Sequence, residues 1–353
     1  SPTLFDENVF YGRIADIQVT NAGEDYDVIN PPQLEIVDPQ GSGCKAHVNV
    51  SGSVQEIKVL KSGVGYASKP EISITGGNGT GCVLESNLVK TRTVLQFKPT
   101  QPGIDIAANT INFGENHNLQ IGEEVIYNSN KNANIGGLVG DSHYYVSTPT
   151  TQIVKLHSTP QDAAAGINTI SITGISSGFH AIESLTVKNT ISTIYVKEKG
   201  QGYSNRAVKI PSVNTIGNRS GINTYDSYIY ARNHGFNSGE VVHYFTTDTV
   251  ISGMQTGADY YVDVLDTNRF RVAIAGTIVP TENYDHKKFI SFDGIGVGTH
   301  TFAYPKIVIS INSTAEQGDI DIVEPELEPK ILGSIDDVFV EDGGVAYGCT
   351  SQF

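Results

Sequence analysis

The sequence predicts an all-β protein: several small β-modules made of repeated strand-turn-strand units, two larger inserted β-domains, and almost no helix. Three observations carry this. A short pattern of apolar residues, Gly and Tyr recurs four times. A longer unit of alternating apolar residues, punctuated by Gly, Asn, Asp and Ser, occurs twice. Only one stretch, TPQDAAAG from Thr159, combines a helix start with helix-forming residues, enough for about two turns.

The short pattern begins at Gly12, Gly52, Asn189 and Gly333. Two residues on stands Ile14, Val54, Ile191 or Ile335; five on, Ile17, Ile57, Ile194 or Val338; seven on, Val19, Val59, Val196 or Val340. Eleven on is Gly (Gly23, Gly63, Gly200, Gly344), and fourteen on is Tyr (Tyr26, Tyr66, Tyr203, Tyr347). Residues at five and seven share one face of a strand. The offset of three from the first apolar residue breaks the alternation and predicts a bulge or bend. The Gly is expected at a chain reversal with positive φ, and the Tyr to lay its ring on the core with its hydroxyl in water. PPQLEIV and KPEISIT, after the first two Tyr, read as second strands.

The longer unit pairs NHNLQIGEEVIY, from Asn116, with NHGFNSGEVVHY, from Asn233, and sets His180 opposite His300. The implied division is 1–90, two tandem short modules; 91–187, the first larger unit; 188–220, a third short module, interrupted; 221–305, the second larger unit; 306–332, an acidic extended connector; and 333–353, a short module without its second strand. That last module implies a polypeptide that continues or borrows a strand from a partner. The larger units read as insertions in loops of the smaller ones.

Composition narrows the function. The net charge of −15, from 23 basic and 38 acidic residues, argues against nucleic-acid binding. The apolar run VAIAGTIV from Val272 is too short to span a bilayer, so no membrane insertion is expected. SPTLFDENVF shows no signal-peptide pattern, and with Met254 as the one Met the chain reads as processed or as part of something longer. Three Cys are too few for a disulfide scaffold: Cys44 and Cys82 occupy matching places and read as small half-buried residues, while Cys349 has no counterpart.

Chemistry-bearing motifs are weak. GISSG, 174–178, fits a nucleophile elbow with His180 nearby, but no helix follows Ser176, and the second unit has Gly296 in its place. His117 with His180, and His234 with His300, raise the question of a metal, yet no metal-ligand spacing occurs and turn-bonding imidazoles are the simpler reading. Glu24, Asp25, Asp27, Asp319 and Asp321 read as solvated loop acids, with weak Ca²⁺ binding as the rival. GGNGTG from Gly76 lacks phosphate-loop spacing. Asn49, Asn78, Asn218 and Asn312 lie in glycosylation sequons. No catalytic, metal or cofactor site is expected, and no binding residue is assigned.

The I-x-V-x-x-x-G-x-x-Y unit followed by P-x-I-x-I and a Gly-rich turn resembles repeats in virion structural proteins of large contractile-tailed bacteriophages. The NHGFNSGEVVHY…DYYVDVLDTNRFRVA unit is similar to modules of tail-fibre and baseplate-associated proteins, nearest to those of phages of marine cyanobacteria. The first larger unit departs from that pattern in having Asn118 after its His. The resemblance implies a non-enzymatic virion component of tail, baseplate or fibre, with other virion proteins as partners, a homo-oligomer (a trimer in a fibre), and contact with a host-surface glycan. The alternative is an extracellular adhesin or glycan-binding module, with Tyr144, Tyr145, Tyr260 and Tyr261 as stacking candidates. Strand alternation turns one of each Tyr pair inward. A polysaccharide depolymerase would need a solenoid or a cleft with paired acids, which interleaved repeats do not resemble.

Overall fold

The four short repeats do not fold each on itself; they exchange strands in pairs. This is seen in a computed structural model that describes residues 10–100, 102–215, 219–274, 289–313 and 322–349. The fold is all-β with several sheets, and its one helix among the described residues is Pro160–Ala165, capped by Thr159 and by Gly166 in the left-handed conformation. None of the described helical residues forms a span long and apolar enough to cross a membrane.

Copies 2 and 3 each contribute an opening strand (the apolar pattern), the Gly and Tyr turn, a middle strand and a closing strand; copy 1 contributes the same parts with a middle segment at 34–37 unpaired among the described residues, and copy 4 its opening strand and turn. The closing strand of one copy runs straight into the next element, which produces the long strands Ser42–Lys61, Thr80–Phe97 and Glu326–Val345, while in His180–Gln201 the last strand of the first larger unit runs into the opening strand of copy 3. In the pair formed by copies 2 and 3, residues 80–89 lie antiparallel on the opening strand of copy 3, and residues 326–332 on that of copy 2. Their middle strands, Glu71–Thr75 and Val308–Asn312, pair with each other. In the pair formed by copies 1 and 4, residues 42–50 lie on the opening strand of copy 4. Equivalent contacts mark both pairs. Ile57 meets Ile194 in one, and Ile17 meets Val338 in the other. The repeat Tyr faces the first residue of the partner copy: Tyr203 with Gly52, Tyr26 with Gly333, Tyr347 with Gly12. For Tyr66 the carbonyl accepts from the Asn189 side chain at 2.7 Å.

The break in alternation is a β-bulge. Gln55, Ser192 and Asp336, each three residues into its copy, have no opposite number in the ladder. The extra residue turns apolar side chains three apart toward one side, so Val54 and Ile57, or Ile191 and Ile194, share one core. A second bulge falls at Leu60, Lys197 and Glu341, always eight residues in. Tyr66 and Tyr203 are fully buried in this core, a burial worth about 2 kcal/mol per ring.

Two local expectations need correction. Gly23, Gly200 and Gly344 have φ of 64°, 63° and 64°, but Gly63 does not have positive φ; there a Cβ would lie 2.6 Å from the Val323 carbonyl. The Tyr hydroxyls are not simply in water. Tyr66 donates to Val323 O at 3.3 Å, and Tyr347 accepts from Cys44 N at 3.3 Å. The Tyr203 and Tyr347 rings also rest on Gly79 and Gly41, where a Cβ would come within 2.3 Å of the ring.

The two larger units share one seven-strand order. In the first it runs 94–97, 180–184, Glu124–Asn128, Ser142–Ser147, Ile153–His157, Thr110–Asn112 and Ile104–Asp105. In the second it runs Ala207–Pro211, Thr299–Ala303, Val241–Phe245, Ala258–Asp266, Arg269–Ile274, Tyr228–Tyr230 and Gly221–Asn223. The second unit therefore begins at 207, not 221: Val208 and Ile210 are buried in its own core, which also holds Phe270 and Phe302. It is inserted within copy 3, before that copy's middle strand. The first unit instead caps the far ends of Thr80–Phe97 and His180–Gln201, between copies 2 and 3. The stretch 306–332 is not an extended connector throughout, since 308–312 and 326–332 are paired strands. Pro329 is tolerated there because its outer edge carries no ladder partner among the described residues.

Candidate functional site

The paired His residues act as locks within each unit. His117 Nδ1 accepts from Leu119 N at 3.0 Å and its Nε2 reaches Thr150 O at 2.9 Å. His234 repeats both contacts, with Phe236 N at 3.1 Å and Asp266 O at 2.8 Å. His180 and His300 accept the hydroxyls of Tyr127 and Tyr244 at 2.6 and 2.8 Å, and those same hydroxyls accept from Ile135 N and Ile251 N at 2.9 and 3.0 Å. Burial pushes His117, His234 and His300 below the ordinary imidazole value, which keeps them neutral for these roles. Among the described residues no group of three or more His, Cys, Asp or Glu could hold a metal ion. Substituting Phe for Tyr244 removes a hydroxyl that satisfies both His300 and a buried N–H. The expected cost is about 2 kcal/mol in denaturant unfolding, against less than about 0.5 kcal/mol for the same change at exposed Tyr225.

The other sequence candidates are dispersed. Ser176 donates to Ala133 O at 2.6 Å, while His180 Nε2 contacts Ser177 O, so the two are not joined. Tyr144 and Tyr260 are buried and accept from Val139 N and Gln255 N at 2.9 and 2.7 Å; Tyr145 and Tyr261 are half-buried on the opposite face. Asn49 is fully buried and bonds Asp337 at 2.6 Å, and Asn78 bridges to the backbone of Val241 at 2.9 Å. Asp27 caps a local turn through Ile29 N, beside exposed Glu24 and Asp25. Burial raises the thiols of half-buried Cys44 and Cys82, which makes them poor nucleophiles. Asn218, Asp319 and Asp321 lie outside the described residues.

The structure does assemble one site that the sequence conceals. Where the pair of copies 1 and 4 meets the second larger unit, a cleft of about 610 Å³ opens. Five cationic residues line it: Arg13, Lys45, Lys209, Arg219 and Arg232. Its carboxylates are Glu341 and Asp342. Arg13 is tied to Asp342 at 2.5 Å and Lys209 to Glu341 at 2.7 Å. Arg219 and Arg232 are exposed and form no ion pair with another described residue. Ile14, Ile210, Pro211, Val213 and Val340 give the cleft an apolar side. The cations outnumber the carboxylates here, which gives the cleft a local positive charge in a chain of charge −15. No sequence signal marks it, because its cations come from separate segments and each reads alone as a surface charge.

Glu341 is the pivot of the cleft's wall. Its carboxylate accepts from His47 at 2.7 Å and from Lys209, and these bonds, His47 foremost, hold its pKa down to about 2 from 4.5. The folded value lies below the unfolded one, so the resulting stability is fully present above about pH 4.5 and is lost as pH falls toward 2. Glu341→Gln is expected to flatten the fall in thermal midpoint across that window and to leave the slope above it unchanged.

Compared with family models, with characterised proteins and with solved structures, the chain matches none.

Proposed function

We propose that the chain is a non-enzymatic structural component of a phage virion, in the tail, baseplate or fibres, acting through assembly. The observation that supports this best is the exchange of strands between repeat copies. It ties residues over 300 positions apart into one scaffold (Cys44 bonds Tyr347) and spends the conspicuous His, Tyr and Ser groups on internal bonds rather than on a reaction centre. A stiff scaffold with inserted units on its flank suits a spacer that presents loops to neighbours. Gold-labelled antibody to the chain, imaged on particles from a lysate, is expected on the tail end or fibres. Intact particles without label, from a lysate that contains the protein, would contradict the reading.

The cationic cleft favours a second reading, a module that binds an acidic glycan. On that reading a uronic-acid or sulfated polysaccharide binds in a salt-dependent way, and Arg219→Glu with Arg232→Glu weakens it at least about tenfold, or 1.4 kcal/mol. Binding indifferent to both substitutions would remove it.

A further inference from the structure

Among the described residues Lys188 is the only lysine that the fold buries. It stands where the first larger unit rejoins the scaffold, just before copy 3. Its Nζ lies 2.6 Å from Glu123 Oε2 and donates to the main-chain oxygen of Asn118 at 2.9 Å. Glu123 is held in turn by Ser184 Oγ and by Gln120 N. The side chain of Asn118 is the oddity. Its Oδ1 is buried and has no hydrogen-bond partner, an arrangement that costs free energy and calls for a reason. The second larger unit keeps the supports and lacks the reactants. Glu240, in the place of Glu123, accepts from Asn237 N at 2.7 Å and from the Tyr304 hydroxyl at 2.5 Å. The cation beside that turn is Arg206, whose guanidinium cannot shed a proton and so is no nucleophile. The place of Asn118 is taken by Gly235, where a Cβ would lie 1.9 Å from Arg206 Nη1. Both turn residues are left-handed, with φ of 53° and 65°. That conformation suits Asn as well as Gly, but it does not explain a carboxamide oxygen turned inward with nothing to bond.

We propose that Lys188 and Asn118 join in an amide cross-link, with Glu123 as the proton carrier, and that the ion pair is the state that precedes the bond. The amine is already held by the main-chain oxygen of Asn118. Cγ of that residue is joined to the same carbonyl through Cα and Cβ alone, so rotation about the Cα–Cβ bond carries it toward the amine. Nζ passes a proton to Glu123 Oε2 along their hydrogen bond. The freed lone pair of Nζ attacks Asn118 Cγ, and the bond from Cγ to Nδ2 breaks with its electron pair on nitrogen. The leaving nitrogen takes the proton from Glu123 and a second one from Nζ, and departs as ammonium. The Glu123 carboxylate is thereby restored, and no other reactant is needed. Burial of the amine and the carboxylate keeps out the water that would compete for the reacting carbonyl. The product ties residues 70 positions apart across the root of the first larger unit.

The test is the intact mass of the full chain, measured on freshly purified protein and again after prolonged incubation at neutral pH. Expected is a mass about 17 Da below that of the sequence, the loss of one ammonia. Proteolysis is expected to release a branched peptide that joins Asn118 to Lys188. Asn118→Gly is expected to restore the full mass and leave cooperative unfolding intact, since Gly235 fills the same left-handed position in the second unit. Glu123→Gln is expected to slow formation of the bond at least about tenfold. Full mass with linear peptides only overturns the proposal, as does a deficit that survives Asn118→Gly. A branch joining Lys188 to Glu123 with loss of water, or a rate indifferent to Glu123→Gln, overturns it too. None of these outcomes depends on whether the chain belongs to a virion.

Discussion

Replacing Glu123 by Ala is expected to destabilise the first larger unit by about 3–5 kcal/mol, because it leaves a buried ammonium without its counter-ion. Lys188 is 1% exposed and Glu123 7%. Lys188 Nζ lies 2.6 Å from Glu123 Oε2 and donates to Asn118 O at 2.9 Å. The same carboxylate accepts from Ser184 Oγ and, at 2.8 Å, from Gln120 N. One acid thus satisfies a strand residue, a turn and the residue that precedes copy 3. Adding Lys188→Met to Glu123→Ala removes the stranded charge, so the double variant is expected to recover at least about 1.5 kcal/mol of the loss. Urea unfolding followed through the tyrosines of this unit measures both, and a double variant no better than Glu123→Ala alone would show that the charge is not the cause.

Gly333→Ala is expected to cost about 3 kcal/mol or more, for a reason that has nothing to do with φ. Gly52 and Gly333 face each other where Ser42–Lys61 and Glu326–Val345 cross from one repeat pair to the other. A Cβ on Gly333 would lie 1.8 Å from Ser51 O and 2.6 Å from Gly52 Cα, and one on Gly52 would lie 2.1 Å from Leu332 O. These neighbours are backbone, so the clash is relieved only by parting these two long strands. Asn189 shows that the position tolerates a side chain where no second copy's first residue opposes it; its neighbour across the ladder is Lys90. Gly174→Ala is the control: nothing but Gly136 Cα, at 4.0 Å, is near, and a change within about 0.5 kcal/mol is expected.

Much of the repeat was legible in the sequence because its signals are local. The offset of three between Val54 and Ile57 announces the bulge at Gln55, and the matched Asn-His turns announce the imidazole locks at His117 and His234. Which copy pairs with which was not legible. Every opening strand carries the same apolar pattern, so Ile57 would suit Ile17 as well as Ile194; the choice falls to the path of the chain through the larger units. The boundary at 207 was hidden for a related reason. AVKIP alternates like a middle strand of the repeat, yet its Val208 and Ile210 fill the core around Phe302. The cleft was invisible because a basic site assembled from Arg13, Lys45, Lys209, Arg219 and Arg232 has no contiguous trace.

The claim on which the rest depends is that copies pair 1 with 4 and 2 with 3 rather than each closing on itself. Cysteine cross-linking tests it at one position with two partners, in a chain whose Cys44, Cys82 and Cys349 are Ser. Lys45 lies opposite Asp342, nine residues into copy 4, and the equivalent residue of copy 1 is Asn21. Directly opposed residues of antiparallel strands fall within disulfide reach. Strand exchange predicts that Lys45→Cys forms a disulfide with Asp342→Cys and none with Asn21→Cys; a disulfide with Asn21→Cys and none with Asp342→Cys would contradict it.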